Sequence, residues 1–206
     1  EFILEEDNLF IDATLLPNQL LLDEILRLGL AQGLVSVDRV VAFRSHSFMS
    51  MYEVKTTNVT SEYDSIDRPW DLISYNAKQL ELDISVLKLE KRRYEGDSVT
   101  CYGERIYVAE NCKIRNAVLN AEKGPIVIEQ GVEINEFSVI HGPAVIKKDT
   151  VVSIGSKIRN NVSVGINCVV GGEVKDSIIF DNSNRAHEGY LGNSVIGEWC
   201  NLGAGT

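Results

Sequence analysis

The sequence predicts a mixed α/β segment over residues 1–96, followed by a parallel β-helix over residues 97–206. From Ile128 an aliphatic residue returns at every sixth position, through Ile134, Ile140, Ile146, Val152, Ile158 and Val164 to Val170. Four residues after each of the first seven stands a small or β-branched residue: Val132, Ser138, Ala144, Thr150, Ser156, Val162 and Cys168. Before residue 97 this period is missing, and ordinary helix and strand patterns stand in its place.

In chain order, "NLFIDATLL" reads as a strand running into a turn at Pro17. "NQLLLDEILRLGLAQG" carries apolar residues at helical spacing and predicts a helix that stops at Gly33. "DRVVAFR" and "MYEVKTTNV" are short and strand-like, and "RPWDLISYNAKQLELDISVLKLEKRR" predicts one or two helices behind a proline suited to a first helical turn. The six-residue period that follows belongs to neither a lone helix nor a hairpin sheet. It fits a triangular coil in which each hexad forms one side and three hexads close a turn. The aliphatic residue then points inward, the small one sits where space is short, and each coil covers its neighbour. Val108 and Ile114 obey the same rule with Cys112 and Val118, as do Ile196 and Leu202 with Cys200 and Thr206, while "EKGP" at 122–125 shifts the register.

Composition narrows the function. The formal net charge is −10 with the acidic residues dispersed, which argues against nucleic acid as a partner, since phosphate backbones need a basic patch. No stretch of eighteen apolar residues exists to span a membrane, and nothing at the start of the sequence reads as a signal peptide. The cysteines Cys101, Cys112, Cys168 and Cys200 form no CxxC pair; they read as free thiols of a reducing, cytoplasmic environment. Three of them fall in the small-residue slot, where cysteine acts as a compact hydrophobe. A zinc site of the β-helical carbonic-anhydrase kind needs three clustered histidines. The three here are His46, His141 and His187, and His46 lies outside the repeats.

Hexads of this form resemble those of the hexapeptide-repeat acyltransferases, whose coil is left-handed. The likeness narrows at "GGEVKDSIIFDNSNRAHEGYLGNSVIGEWCNLGAGT", residues 171–206. Glu-x-Lys at 173–175, His-x-x-Tyr-Leu-Gly at 187–192 and Asn-Leu-Gly-Ala-Gly-Thr at 201–206 resemble the acetyltransferase region of the bifunctional sugar-1-phosphate nucleotidyltransferase/glucosamine-1-phosphate N-acetyltransferases. "EEDNLFIDATLLP", "RPWDLISYN" and "VLNAEKGPIVIEQGVEI" resemble a variant of that family named glucose-1-phosphate thymidylyltransferase or UDP-N-acetylglucosamine diphosphorylase. The resemblance implies a fold made of an α/β remnant of a nucleotidyltransferase domain at 1–96 and a left-handed parallel β-helix, acetyltransferase-like, at 97–206 with a loop at 180–192. It also implies a fragment: no Gly-rich phosphate loop occurs in the first hundred residues, and the coils stop at "GAGT" with a sheet edge left unpaired.

The implied chemistry centres on "NSNRAHEGYLG", residues 182–192, where the hexads break off. Residues looped out of a flat-sided coil can carry functional side chains on a rigid scaffold. An amine attacking a thioester must lose a proton, and a histidine can accept it, so His187 is expected as the general base. The resemblance makes Lys175 and Tyr190 ligands of the acceptor's phosphate. Glu173 would orient His187 or touch the sugar, Asn201 would position the amino sugar, and the Ala204 backbone N–H would face the acetyl carbonyl of acetyl-CoA. Lys157 or Arg159 would add a second phosphate contact, a choice the register leaves open, and Arg185 could do likewise. Asp12 is the nearest candidate for holding Mg²⁺ in the nucleotidyltransferase half, though a strand-end turn residue is the plainer reading. The family's site lies between the subunits of a homotrimer. The expected function is N-acetylation of glucosamine-1-phosphate together with nucleotidyl transfer to a sugar-1-phosphate, toward UDP-N-acetylglucosamine. The alternative is a thymidylyltransferase-type enzyme whose β-helix only mediates oligomerisation.

Overall fold

The structure, a computed structural model, describes residues 6–37, 39–47, 52–87 and 98–205. Two compact units divide between Asp67 and Arg68. In sequence the repeats begin near residue 97; by packing, the helix that precedes them belongs with the repeats.

The first unit holds strands β1 (Asn8–Ile11) and β2 (Leu15–Leu16), helix α1 (Gln19–Leu26), and strands β3 (Gln32–Ser36), β4 (Arg39–Ser45), β5 (Lys55–Asn58) and β6 (Asp64–Ser65). Its main sheet runs β1-β4-β3-β5, antiparallel except for the β3–β5 pair, and β2 pairs with β6. Asn18 caps α1 by accepting a hydrogen bond from the Leu21 amide at 2.9 Å, and Leu21 and Ile25 bury against Leu34, Val41 and Ala42. The helix ends at Leu26, seven residues before the glycine expected to stop it. Leu28 N–H closes the last turn on Ile25 O, Ala31 turns the chain at a φ of 59°, and "QGLVS" pairs with strands on both sides. Cross-strand pairing here outweighs local helical spacing, which is a weak prior. Gly33 is a strand residue, tight against Phe43 and Val54.

The second unit opens with helix α2 (Asp71–Leu87), whose start is capped by Asp71 accepting from the Arg68 amide at 2.8 Å. The helical stretch expected beyond Leu87 lies outside the described residues. Helix α2 lies against the strand Lys157–Val164, where Asn76 bonds Asn161 at 2.9 Å and Ser163 at 2.6 Å.

The repeats form the expected left-handed parallel β-helix. Its first face stacks residues 100–102, 118–120, 139–141, 157–159, 173–175 and 190–192. The second stacks 106–108, 126–128, 144–146, 162–164, 177–179 and 195–196. The third stacks 113–114, 133–134, 151–152, 169–170 and 184–185, with Asn201 bridging to Asn184. All eight aliphatic hexad positions from Ile128 to Val170 are buried, and so are all seven small-residue positions.

The small slot does more than save space. Ser138 donates to Ser153 O at 3.0 Å, Thr150 to Gly165 O at 2.7 Å, and Ser183 to Gly197 O at 2.7 Å, each reaching a corner of the next coil. The Cys112 and Cys168 thiols occupy the same slot and point at Glu129 O (3.0 Å) and Phe180 O (3.2 Å). Burial pushes both thiols up from their ordinary pKa, which keeps them protonated donors instead of nucleophiles. At the "EKGP" insertion Gly124 meets the next coil so closely that a Cβ would lie 2.4 Å from Pro143 Cδ, and only glycine fits.

Replacing Thr150 by valine keeps its shape but strands Gly165 O and the Cys168 amide, which Thr150 also accepts at 3.0 Å. The change should cost about 1–3 kcal/mol in urea denaturation, with Thr150→Ser recovering part of it.

Candidate functional site

The outward positions of the first face carry most of the candidates. Lys157, Glu173 and Tyr190 are register partners on successive coils, and Arg159 and Lys175 form the parallel column beside them, ending at Gly192. Arg159 Nη1 reaches Glu173 Oε1 at 2.5 Å, and Lys175 Nζ lies 3.2 Å from Asp176 Oδ2. Glu173 is thus held by Arg159. Both pairs are partly exposed, so each contributes little to stability and can open to another anion. Tyr190 is 59% exposed, and its ring runs along the strand over Gly192, where a Cβ would fall 2.3 Å from the phenolic oxygen.

His187 sits on the corner that leads onto this face. The interval 182–192 reads in sequence as looped out, but the ladder runs through it: Asn184 and Arg185 pair with Val169 and Val170, and 190–192 pair with 173–175. The coil is short. Each strand of the third face follows its predecessor by 18 residues at Val151 and Val169, but by 15 at Asn184. Part of the loss falls at the corner into the first face, where Gly171–Gly172 alone connect Val170 to Glu173, while four residues, 153–156 and 186–189, make the equivalent turns before and after. The four-residue corner folds down onto the two-residue one: a Cβ on Gly171 would lie 2.1 Å from Ala186 O, and Glu173 N–H bonds Gly189 O at 2.8 Å. His187 is exposed on this corner, one turn before Tyr190.

Arg185 is not a surface phosphate contact. It takes the inward position of the third face, in register with Val170, and is 5% exposed. The expectation of a loop arginine fails because the coil shortens before it, shifting the inward position three residues ahead of a six-residue count. Asn201 and Ala204 are exposed on the following coil, and Leu202 N–H bonds Asn184 O at 2.8 Å.

In the first unit Asp12 borders a shallow cleft of about 250 Å³, with Phe10 and Phe43 stacked at 4.7 Å in its wall. Its carboxylate accepts from the Thr14 amide (2.9 Å) and hydroxyl (2.8 Å) and lies 3.4 Å from Arg39 Nε. That is the turn-residue role. Among the described residues no group of three or more His, Cys, Asp or Glu could hold a metal ion, so these residues do not fit a Mg²⁺ site.

Residues 2–92 match the model of the family described as "Sugar nucleotidyl transferase". The chain is also similar to the "Bifunctional protein GlmU" of Methanococcus aeolicus, 34% identical over 156 residues, which are 74% of this chain and 32% of the relative. The protein of that name from Thermodesulfovibrio yellowstonii is 33% identical over 114 residues, 54% of this chain and 23% of the relative. That of Anaplasma marginale (strain Florida) is 39% identical over 83 residues, 39% and 19% of the two chains. The chain belongs to the sugar nucleotidyl transferase family. It spans about a fifth to a third of the length of these relatives.

Within this sugar nucleotidyl transferase family member, two features escape the hexad count: the Arg159–Glu173 pair and the inward turn of Arg185. The first was open to register arithmetic, because Arg159 and Glu173 are two residues apart from register partners. The second had one signal, the double glycine at 171–172. Among the described residues no helix is long and apolar enough to cross a membrane.

A double-mutant cycle on Arg159→Ala and Glu173→Ala should return a coupling below about 1 kcal/mol by thermal or urea denaturation, as expected of an exposed pair.

Proposed function

We propose that the β-helix carries the acyl-acceptor site of an acetyltransferase, and that the full-length protein joins acetyl transfer to glucosamine-1-phosphate with nucleotidyl transfer toward UDP-N-acetylglucosamine. The observation that carries the proposal is the meeting of a cationic face (Lys157, Arg159 and Lys175) with a corner that holds an exposed histidine and leads directly into Tyr190. The GlmU relatives support the same reading through the name they bear.

In this proposal Lys175 holds the acceptor's phosphate as a point charge, with Lys157 or Arg159 beside it and the Tyr190 hydroxyl as a hydrogen-bond donor. A phosphate with two negative charges competes well with the single carboxylates now paired to Arg159 and Lys175. Glu173, released from Arg159, is then free to accept from the sugar. His187 takes the proton that the amine loses as it attacks, a contribution of about 10²–10⁴ in rate. Acetyl-CoA, when bound, supplies the thioester carbonyl under attack. The backbone N–H of Ala204 faces the oxygen where negative charge gathers, and Asn201 orients the amine. Both residues stand in the exposed turn that follows the last bridge, one coil beyond His187, within reach of a ligand lying along this corner. Subunits assembled as a trimer would supply the facing wall. Nucleotidyl transfer with Mg²⁺ is proposed for the full-length protein only.

Acetylation of glucosamine-1-phosphate by the full-length protein tests the reading, and absence of activity in the presence of acetyl-CoA sinks it. His187→Ala should lower kcat by about 10²–10⁴-fold with the melting temperature unchanged. Lys175→Ala should raise KM for the sugar phosphate while moving kcat less, because a ground-state phosphate contact is uniform binding. A stable monomer in sedimentation would contradict the trimer.

A further inference from the structure

We propose that Arg185 is the positioning residue of the candidate site: from inside the β-helix it clamps the backbone of the His187 corner and fixes where the imidazole stands. This rests on His187 being the base, and it concerns a residue that makes no contact with substrate.

The column it occupies is the inward one of the third face: Ile114, Ile134, Val152, Val170 and then Arg185, in unbroken register. The four aliphatic members are between 0% and 7% exposed and Arg185 is 5% exposed, so a guanidinium stands where every earlier coil places a hydrocarbon. Among the described residues no carboxylate forms an ion pair with it, and Glu188 alone acts on it at a distance. Burial lowers its pKa, but an arginine titrates so high that it stays charged. A buried charge without a partner ion is costly, and an apolar residue of similar volume is commonly no worse for stability. Stability of the coil therefore does not account for this side chain.

Its hydrogen bonds do. Arg185 Nη1 donates to Gly171 O, at the two-residue corner, and at 3.4 Å to His187 O, on the four-residue corner above it. One charged group thus ties together the two turns whose unequal lengths let the His187 corner fold inward. The glycines make room for it: a Cβ on Gly172 would stand 2.9 Å from Arg185 Nη1 and 2.6 Å from Gly189 O. The sequence feature "GG" at 171–172 and the arginine fourteen residues later are two halves of one device. Residues 186–189 have no strand pairing of their own, and the guanidinium supplies the missing anchor from below.

The test uses the full-length protein with Arg185→Leu, which restores the hydrocarbon column. The expected result is a melting temperature equal to or above the parent's, kcat for acetyl transfer lower by about 10²-fold as befits a base displaced by an ångström or so, KM for glucosamine-1-phosphate nearly unchanged, and faster amide hydrogen exchange at residues 186–189. Unchanged kcat, or unchanged exchange at that corner, overturns the proposal. Should the leucine variant fail to fold, Arg185→Met takes its place, and failure of both shows a structural core residue and overturns the proposal as well. A parent protein without acetyl transfer sinks the reading of the site alone, and the exchange comparison then decides the clamp.

Discussion

The inward columns of the β-helix are the constraint on which the rest depends. Consecutive coils lie about 4.8 Å apart, the spacing of hydrogen-bonded strands. A side chain that points inward therefore meets its counterpart one coil away and must match it in size. Ile134 on Val152 on Val170, each fully buried, is that match repeated along the third face. Because each coil contacts only its neighbours, the requirement is local and repeats without fading. It also dictates the small slot: the corner carbonyls turned inward would be unpaired without Ser138, Thr150 and Ser183 reaching across to them.

A scaffold this regular has flat sides, and its corners are the places where length can vary without breaking the columns. The chain uses that freedom once in the region of interest. Shortening one corner to Gly171–Gly172 and keeping four residues in the next lets backbone 186–189 settle against the coil below. The outward columns stay in register, so Lys157, Glu173 and Tyr190 remain stacked beside that corner. The exposed ion pairs on this face contribute little to folding, which leaves their charges open to exchange with an anionic ligand. Folding energy and ligand chemistry are thereby separated: the inner columns hold the shape, and the outer columns are free to vary.

The first unit follows the ordinary compromise between local and tertiary preference. Asn18 starts its helix where the sequence signals, since a cap is satisfied by atoms three residues away. The end of that helix was not legible, because Gln32–Ser36 gains two strand neighbours that lie distant in sequence. The carboxylate of Asp12 is likewise settled by its neighbours, Thr14 and Arg39.

By itself the sequence determined the coil: a period of six with a small residue at a fixed offset leaves no other way to bury eight aliphatic residues at once, and all eight are buried. It also placed His187, Lys175 and Tyr190 in one short stretch. What only the tertiary structure decided is where the register slips and which side chain turns inward after the slip. A six-residue count from Val170 passes over Arg185, whereas the ladder pairs the two directly. Periodicity is set by contacts between adjacent coils and survives in the sequence as spacing. A change of corner length leaves no periodic trace, because it is paid for by backbone contacts between glycines and the coil above.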